Sequence, residues 1–216
     1  MKVITLMNQK GGVGKTTLTL SLAARWHLAG CSVAVVDCDP QRSSVFWKKQ
    51  QVDNSPLADL HVYAVKLPSE IRSCRNLDVD YVLLDTPGTD KTTVRAAINA
   101  SDALLIPVQP SAVDLDASAV SMETAMATGK PTAYIMNRFI HQTNLGKEMK
   151  EALHRTPATV LRKVLGQYQD FPRAIGIGET PSTLFPGDKA AQNIEAVGQA
   201  VDAWLLECEQ QPQQQA

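Results

Sequence analysis

Short apolar runs recur along the chain at regular intervals, separated by polar and helix-forming stretches. Lys2–Met7, Ser32–Asp37, His61–Val65, Tyr81–Asp85, Ala103–Val108 and Pro131–Asn137 read as strands, with a shorter one near Thr159–Leu165. They are nearly continuous in apolar residues rather than alternating, the mark of strands covered on both faces. Between them, Lys15–Ala29, Ser43–Gln50, Ser69–Asn76, Thr92–Asn99, Leu115–Ala127 and Leu145–His154 read as helices, the first stopped by Gly30. Alternating strand and helix predict an α/β fold: a doubly wound, mostly parallel sheet with helices on both faces. No internal repeat is present, and Gln50–Ala58 and Phe185–Asp188 read as surface loops.

The last helix has its own pattern. From Lys189 onward, Ala190, Ile194, Val197, Val201, Trp204, Leu205 and Cys208 recur at helical spacing. The opposite face carries Gln192, Glu195, Gln199, Asp202 and Glu207. Such a helix is expected to dock on the sheet. An acidic polar face is repelled by anionic lipid, so no membrane partner is expected. Residues 1–206 read as a single domain, and 207–216, with five glutamines and a proline, as a polar, disordered tail.

Composition alters this little. At 216 residues, 44% hydrophobic and a net charge of −1, the chain is an ordinary globular one. Near-neutral charge requires any surface for nucleic acid to be local. From Lys130 to Arg173 there are eight Lys/Arg against three Asp/Glu, a balance of +5 that suits either a phosphate-backbone patch or a solvated helix face. The four cysteines form no Cys-x-x-Cys pair, so no zinc or iron–sulfur signature is present, and buried thiols in a reducing cytosol are expected. The chain opens directly on its first strand, which leads us to expect no signal peptide and no preceding helix-turn-helix domain.

The chemistry starts immediately after that strand. Residues Lys10 to Thr17 read Lys-Gly-Gly-Val-Gly-Lys-Thr-Thr. Gly11, Gly12, Val13, Gly14, Lys15, Thr16 and Thr17 form a phosphate-binding loop, whose glycines let several N–H groups converge on one anion at a helix N-terminus. Lys15 can reach the β- and γ-phosphates of ATP, and the Thr16 hydroxyl can ligate Mg²⁺. The usual pattern places glycine where this chain has Gln9, and a second lysine, Lys10, follows.

Two carboxylate motifs close later strands: Asp37-Cys38-Asp39-Pro40-Gln41 and Asp85-Thr86-Pro87-Gly88. In an open parallel sheet, ligands sit beyond the carboxyl ends of the strands, so all three motifs can meet in one pocket. Asp85 can hold Mg²⁺ directly or through water. Asp39 can orient or deprotonate the attacking water, and is also placed to share the metal. Taken singly, each aspartate also suits a turn or a helix N-cap.

These residues resemble the ParA/MinD superfamily of deviant Walker-type ATPases, and within it the small ParA partition and positioning ATPases. Pro107-Val108-Gln109-Pro110-Ser111 and Asn137-Arg138 share in the resemblance, which covers residues 1 to about 140 well and continues weakly to about 205. It implies slow ATP hydrolysis and an ATP-dependent homodimer, with Lys10 reaching the partner's phosphates and acting with Lys15 and Asp39 in catalysis. It places Asn137 and Arg138 near the adenine; Phe171 and Pro172 can also flank the base, or simply pack in the core. It further implies nonspecific DNA as a partner, a ParB-like or other cargo adaptor protein that stimulates hydrolysis, and a cytoplasmic, nucleoid-associated location. The family often carries an arginine where this chain has Tyr168, which leaves Arg162, Lys163 and Arg173 as the candidate DNA contacts. Two other readings use the same loop: a membrane-surface ATPase like MinD, and a metabolic or assembly enzyme, for which neither a substrate subdomain nor a cysteine pair is visible.

Overall fold

The computed structural model describes residues 1–210, with the side chains of 112–117 set aside. In chain order the elements are β1 (Lys2–Leu6), α1 (Lys15–Leu28), β2 (Val33–Asp37), α2 (Ser43–Lys49), β3 (His61–Ala64) and a 3-10 helix (Pro68–Asn76). There follow β4 (Tyr81–Asp85), α3 (Lys91–Ala100), β5 (Ala103–Val108), α4 (Ala112–Met126), β6 (Thr132–Met136) and α5 (Asn144–His154). The chain continues through β7 (Thr159–Val160), α6 (Asp170–Ile175), α7 (Pro181–Leu184) and α8 (Lys189–Gln210). All seven strands pair in parallel in the order β3-β2-β4-β1-β5-β6-β7. From β1 the sheet grows one way through β4 and β2 and the other way through β5 and β6, so the crevice opens beside the end of β1.

Side chains alternate across the sheet and are buried on both sides. Ile4, Leu6, Leu105 and Ile135 face a core shared with α1 and α8. On the other face, Leu104, Ile106, Tyr134 and Met136 pack in one cluster, and Val3, Val36, Val82 and Leu84 in another. This double burial explains why the strands read as continuous apolar runs.

α8 packs chiefly against α1 and α7, burying Ile194, Val197, Val201 and Trp204. Two of its acidic residues, Glu195 and Asp202, have partners on α1. Arg25 Nε lies 2.9 Å from Glu195 and its Nη1 2.8 Å from Asp202, while Trp26 Nε1 donates to Asp202 at 2.8 Å. Gly198 sits where an added Cβ would run into the Arg25 side chain. The helix continues to Gln210, so residues 207–210 of the expected tail are helical; 211–216 lie outside the described residues.

Four elements differ from expectation. β7 is only two residues long rather than spanning Thr159–Leu165. Pairing resumes where Leu165 N donates to Met136 O at 2.8 Å, and between the two stretches Arg162 and Lys163 are exposed. β7 is an edge strand of the sheet, where charged side chains such as Arg162 and Lys163 keep to solvent and shorten the ladder. The segment read as Ser69–Asn76 is a 3-10 helix, with Ile71 and Cys74 buried at the spacing of three that this helix requires. α6 and α7 were not anticipated; at six and four residues they are too short to show a periodic pattern.

Candidate nucleotide-binding site

Three loops meet at the carboxyl ends of β1, β2 and β4. The strands are in register there: Leu6 pairs with Asp85, and Asp85 with Asp37. The phosphate loop therefore lies beside both carboxylate motifs. Gly12 (φ 75°) and Gly14 (φ 94°) take left-handed backbone conformations, which only glycine adopts without cost. Gly88, at the end of the second carboxylate motif, comes so near the loop that a Cβ there would sit 3.2 Å from Gln9 O.

The loop's carbonyls are held by side chains. Lys15 is 8% exposed and its Nζ donates to Asn8 O and to Lys10 O, both at 3.1 Å. Burial pulls its ammonium below the usual lysine range, while Asp85 and Asp39 pull it back up. Gln109 Nε2 donates to Gly12 O at 2.8 Å and Asn137 Nδ2 to Val13 O at 2.6 Å. Asn8 ties the loop to the neighbouring strand and helix, donating to Pro107 O and Ser118 Oγ at 2.8 Å each and accepting Lys10 N–H at 2.9 Å.

Asp85 is 1% exposed. Its Oδ2 accepts from the Ser44 hydroxyl at 2.8 Å, and its buried Oδ1 has no hydrogen-bond partner. Burial pushes its carboxyl up to about 7; the Ser44 and Thr16 hydroxyls and Lys15 oppose the rise, and Asp37 adds to it. Such an orphaned buried oxygen costs free energy unless something binds it. A hard cation held by this oxygen and the neighbouring Thr16 hydroxyl would satisfy it, so the residues present fit Mg²⁺. Among the described residues, no group of three or more His, Cys, Asp or Glu could hold a metal alone.

The two aspartates of the first carboxylate motif differ in role. Asp37 is fully buried and accepts N–H groups of Asp39 at 3.1 Å and Val45 at 3.0 Å, shaping the turn; burial raises its pKa. Asp39 is half-buried, accepts Gln41 N–H at 2.9 Å, and is near enough to Lys15 to act on its charge. Arg42, in a left-handed conformation (φ 58°), donates to Asp37 O at 2.8 Å and to Val65 O, joining the ends of β2 and β3. The Cys38 thiol is buried and pushed up by that burial, which makes it inert rather than reactive.

The remaining expected contacts are spread over other elements. Asn137 is 4% exposed against the loop, and Arg138 beside it is exposed with φ 53°. The Phe171 ring, for which contact with the adenine and packing in the core were both open, is 6% exposed and packed in the core, because α6 turns it inward with Ala174; Pro172 is exposed. Arg162 and Lys163 are exposed at the break after β7. Arg173 is exposed on α6 but lies 3.7 Å from Asp170 and over the Phe185 ring at 5.1 Å. Tyr168 packs against Gly166 and the core. Among the described residues, no helix is long and apolar enough to cross a membrane.

Asn8, Asp37, Ser44 and Gln109 were not singled out as site residues from sequence. Asp37 carried a signal, as a charged residue ending a buried strand. Ser44 carried none, since its role appears only when α2 is laid beside β4.

Known proteins resemble this geometry. The chain is 31% identical to a Protein ParA of Rhizobium radiobacter and 34% identical to a maintenance of carboxysome distribution protein A of Gloeobacter kilaueensis, each over 125 residues. Each match covers 57% of this chain but only 55% of the relative, so the chain spans about half the length of these curated relatives. Among solved structures, apo McdA of Cyanthece superposes with a TM-score of 0.76 at 18% identity, covering 93% of this chain and 99% of that one. The septum site-determining protein MinD of Pyrococcus horikoshii, complexed with Mg-ADP, gives 0.75 at 17%, covering 93% and 96%. A family model described as the CobQ/CobB/MinD/ParA nucleotide binding domain matches residues 4–181, and the chain belongs to that family.

Proposed function

We propose that this protein is an ATPase that dimerises when it binds ATP, holds DNA without sequence preference in that state, and partitions or positions a cargo. The cargo is a plasmid, a chromosome region or a protein assembly, and a ParB-like or other adaptor stimulates hydrolysis. The observation that carries the reading is the convergence of a two-lysine phosphate loop with Asp39 and Asp85 on one crevice. The names of the relatives, a ParA and a carboxysome distribution protein, support a positioning role.

The residues divide the work. N–H groups of Gly11 to Thr17 cradle the phosphates at the N-terminus of α1. Lys15 leaves Asn8 O and Lys10 O to neutralise the β- and γ-oxygens. Thr16 and Asp85 would hold Mg²⁺, which when bound would offset phosphate charge, and Asp39 would share it. Asp39 orients the attacking water and accepts its proton. Lys10 acts across the dimer on the partner's phosphates. Arg138 and Pro172 are the exposed groups offered to the adenine, and Arg162, Lys163 and Arg173 those offered to DNA. Engagement of the acidic face of α8 by Arg25 and Trp26 supports a packed helix over a lipid-binding one.

The test is DNA co-sedimentation with a non-specific duplex. MgATP should promote binding and MgADP should not, and salt should weaken it steeply, because log K falls by about 0.9 per phosphate contact for each tenfold rise in salt. Glutamate at positions 162, 163 and 173 should abolish binding and leave DNA-independent hydrolysis intact. Wild-type protein that ignores DNA in every nucleotide state would remove DNA as the matrix.

A further inference from the structure

A cleft of about 1190 Å³ separates the 3-10 helix from α3, and hydrogen-bond donors line it. Side chains of a 3-10 helix eclipse every three residues, so burying Ile71 and Cys74 sets Ser69, Arg72 and Arg75 in a row along one wall. Asn76 joins that wall, Asn99 stands on the α3 side, and Lys130 reaches in from the turn before β6. No carboxylate is among the lining residues. Arg75 pairs with Asp102 at 2.6 Å, and its Nε donates to Ala100 O at 2.8 Å. Lys130 Nζ donates to the carbonyls of Ile98, Asn99 and Ser101, so its hydrogens are used but its charge is not neutralised. Asp102 therefore offsets one of three cations. Arg72 is exposed, and among the described residues its guanidinium has no hydrogen bond or ion pair. The side chains of Ser69, Asn76 and Asn99 are likewise without a hydrogen bond among the described residues.

We propose that this cleft is an anion site separate from the nucleotide crevice, and that it takes a small phosphorylated ligand carrying more than one negative charge. Two of its cations lie toward the amino side of the sheet: Arg75 bonds Asp102, just before β5, and Lys130 lies just before β6. The nucleotide crevice is at the carboxyl ends of the strands. The carbonyls at the end of α3 hold Arg75 and Lys130 in place, so these two supply a fixed positive field. Arg72 supplies the free fork that can grip two oxygens of one phosphate, with the amides and hydroxyl beside it as neutral donors. Without a ligand the cations crowd one another. Burial and the Arg75 charge hold the Lys130 ammonium below the usual lysine range, and a bound oxyanion would offset that repulsion. Because Arg75 and Lys130 are drawn back onto α3, a small ligand that enters the cleft meets them more fully than a duplex lying across it.

Two-dimensional ¹⁵N NMR of the full chain reads this cleft and the phosphate loop separately. Sodium pyrophosphate, titrated at low salt without Mg²⁺, should shift the amides of Ser69, Arg72, Asn76 and Asn99 along one saturable curve, whatever happens at residues 11–17. Arg72→Ala should weaken that curve by about ten- to a hundredfold, the worth of a hydrogen bond to a charged group, and leave the loop's response as in wild type. Arg72→Lys keeps the charge without the fork and should fall between the two. Both variants should keep wild-type spectra away from the cleft, which is the folding control, and wild-type ATP hydrolysis. Shifts confined to the loop would overturn the proposal, and so would cleft shifts that Arg72→Ala leaves unchanged. Cleft shifts that appear with a non-specific duplex and not with pyrophosphate would overturn it in favour of a nucleic-acid surface.

Discussion

Asp85 makes a measurable prediction because the structure buries it with one oxygen unpartnered. In the unfolded chain its pKa is about 3.9, and in the folded protein burial pushes it up to about 7. The folded state therefore holds this proton more tightly than the unfolded state. Below about pH 4 both states are protonated and the residue costs nothing. As pH rises toward about 7 the unfolded state sheds its proton first, and stability falls. Three units at 1.36 kcal/mol each place the full loss at about 4 kcal/mol, reached above pH 7. Asp85→Asn keeps an acceptor for Ser44 and cannot ionise. In metal-free, nucleotide-free buffer the variant should match wild type near pH 4 and exceed it by up to about 4 kcal/mol at pH 8. At about 2–4 °C per kcal/mol for a chain this long, the gap in Tm should open to about 8–16 °C. Thermal melts of both proteins from pH 4 to 8 read it directly, since titrating groups away from Asp85 cancel in the difference. MgATP should narrow the gap by stabilising wild type more than the variant. A gap that does not change with pH would refute the argument.

Other expectations follow from the same geometry. Lys15→Ala should remove tight ATP binding by calorimetry, because the residue that neutralises the β- and γ-phosphates is gone; wild-type affinity would place the pocket elsewhere. Asp39→Ala should still bind ATP and hydrolyse it at least about a hundredfold more slowly, the usual scale of general-base loss; unchanged phosphate release would take Asp39 out of the mechanism. Gly198→Ala should cost about 1–3 kcal/mol by pressing on Arg25 where Glu195 and Asp202 hold it. Arg25→Ala in the same chain should relieve part of that cost in denaturant melts.

Most of the sheet was readable because its strands are nearly continuous in apolar residues and bounded by turn residues, and the phosphate loop because its glycines and lysines are contiguous. What escaped was set by tertiary contact. The shortening of β7 depends on its place at the sheet edge, and the choice of the core over the base for Phe171 on a six-residue helix with no periodic signal. Ser44 reaches Asp85 across 41 residues, and Asn137 reaches Val13 across 124. Contacts of that separation leave no local pattern. The acidic face of α8 was legible as a pattern, but its partners, Arg25 and Trp26 on α1, were not.

The central claim is that ATP switches the protein between monomer and dimer, with Lys10 acting in trans. Light scattering of the Asp39→Ala protein, which should trap bound ATP, measures it most directly. Saturating MgATP should double the mass, MgADP should not, and adding Lys10→Ala should return the protein to monomer without loss of ATP binding. A monomer at saturating ATP, or a Lys10→Ala protein that dimerises normally, would contradict the account.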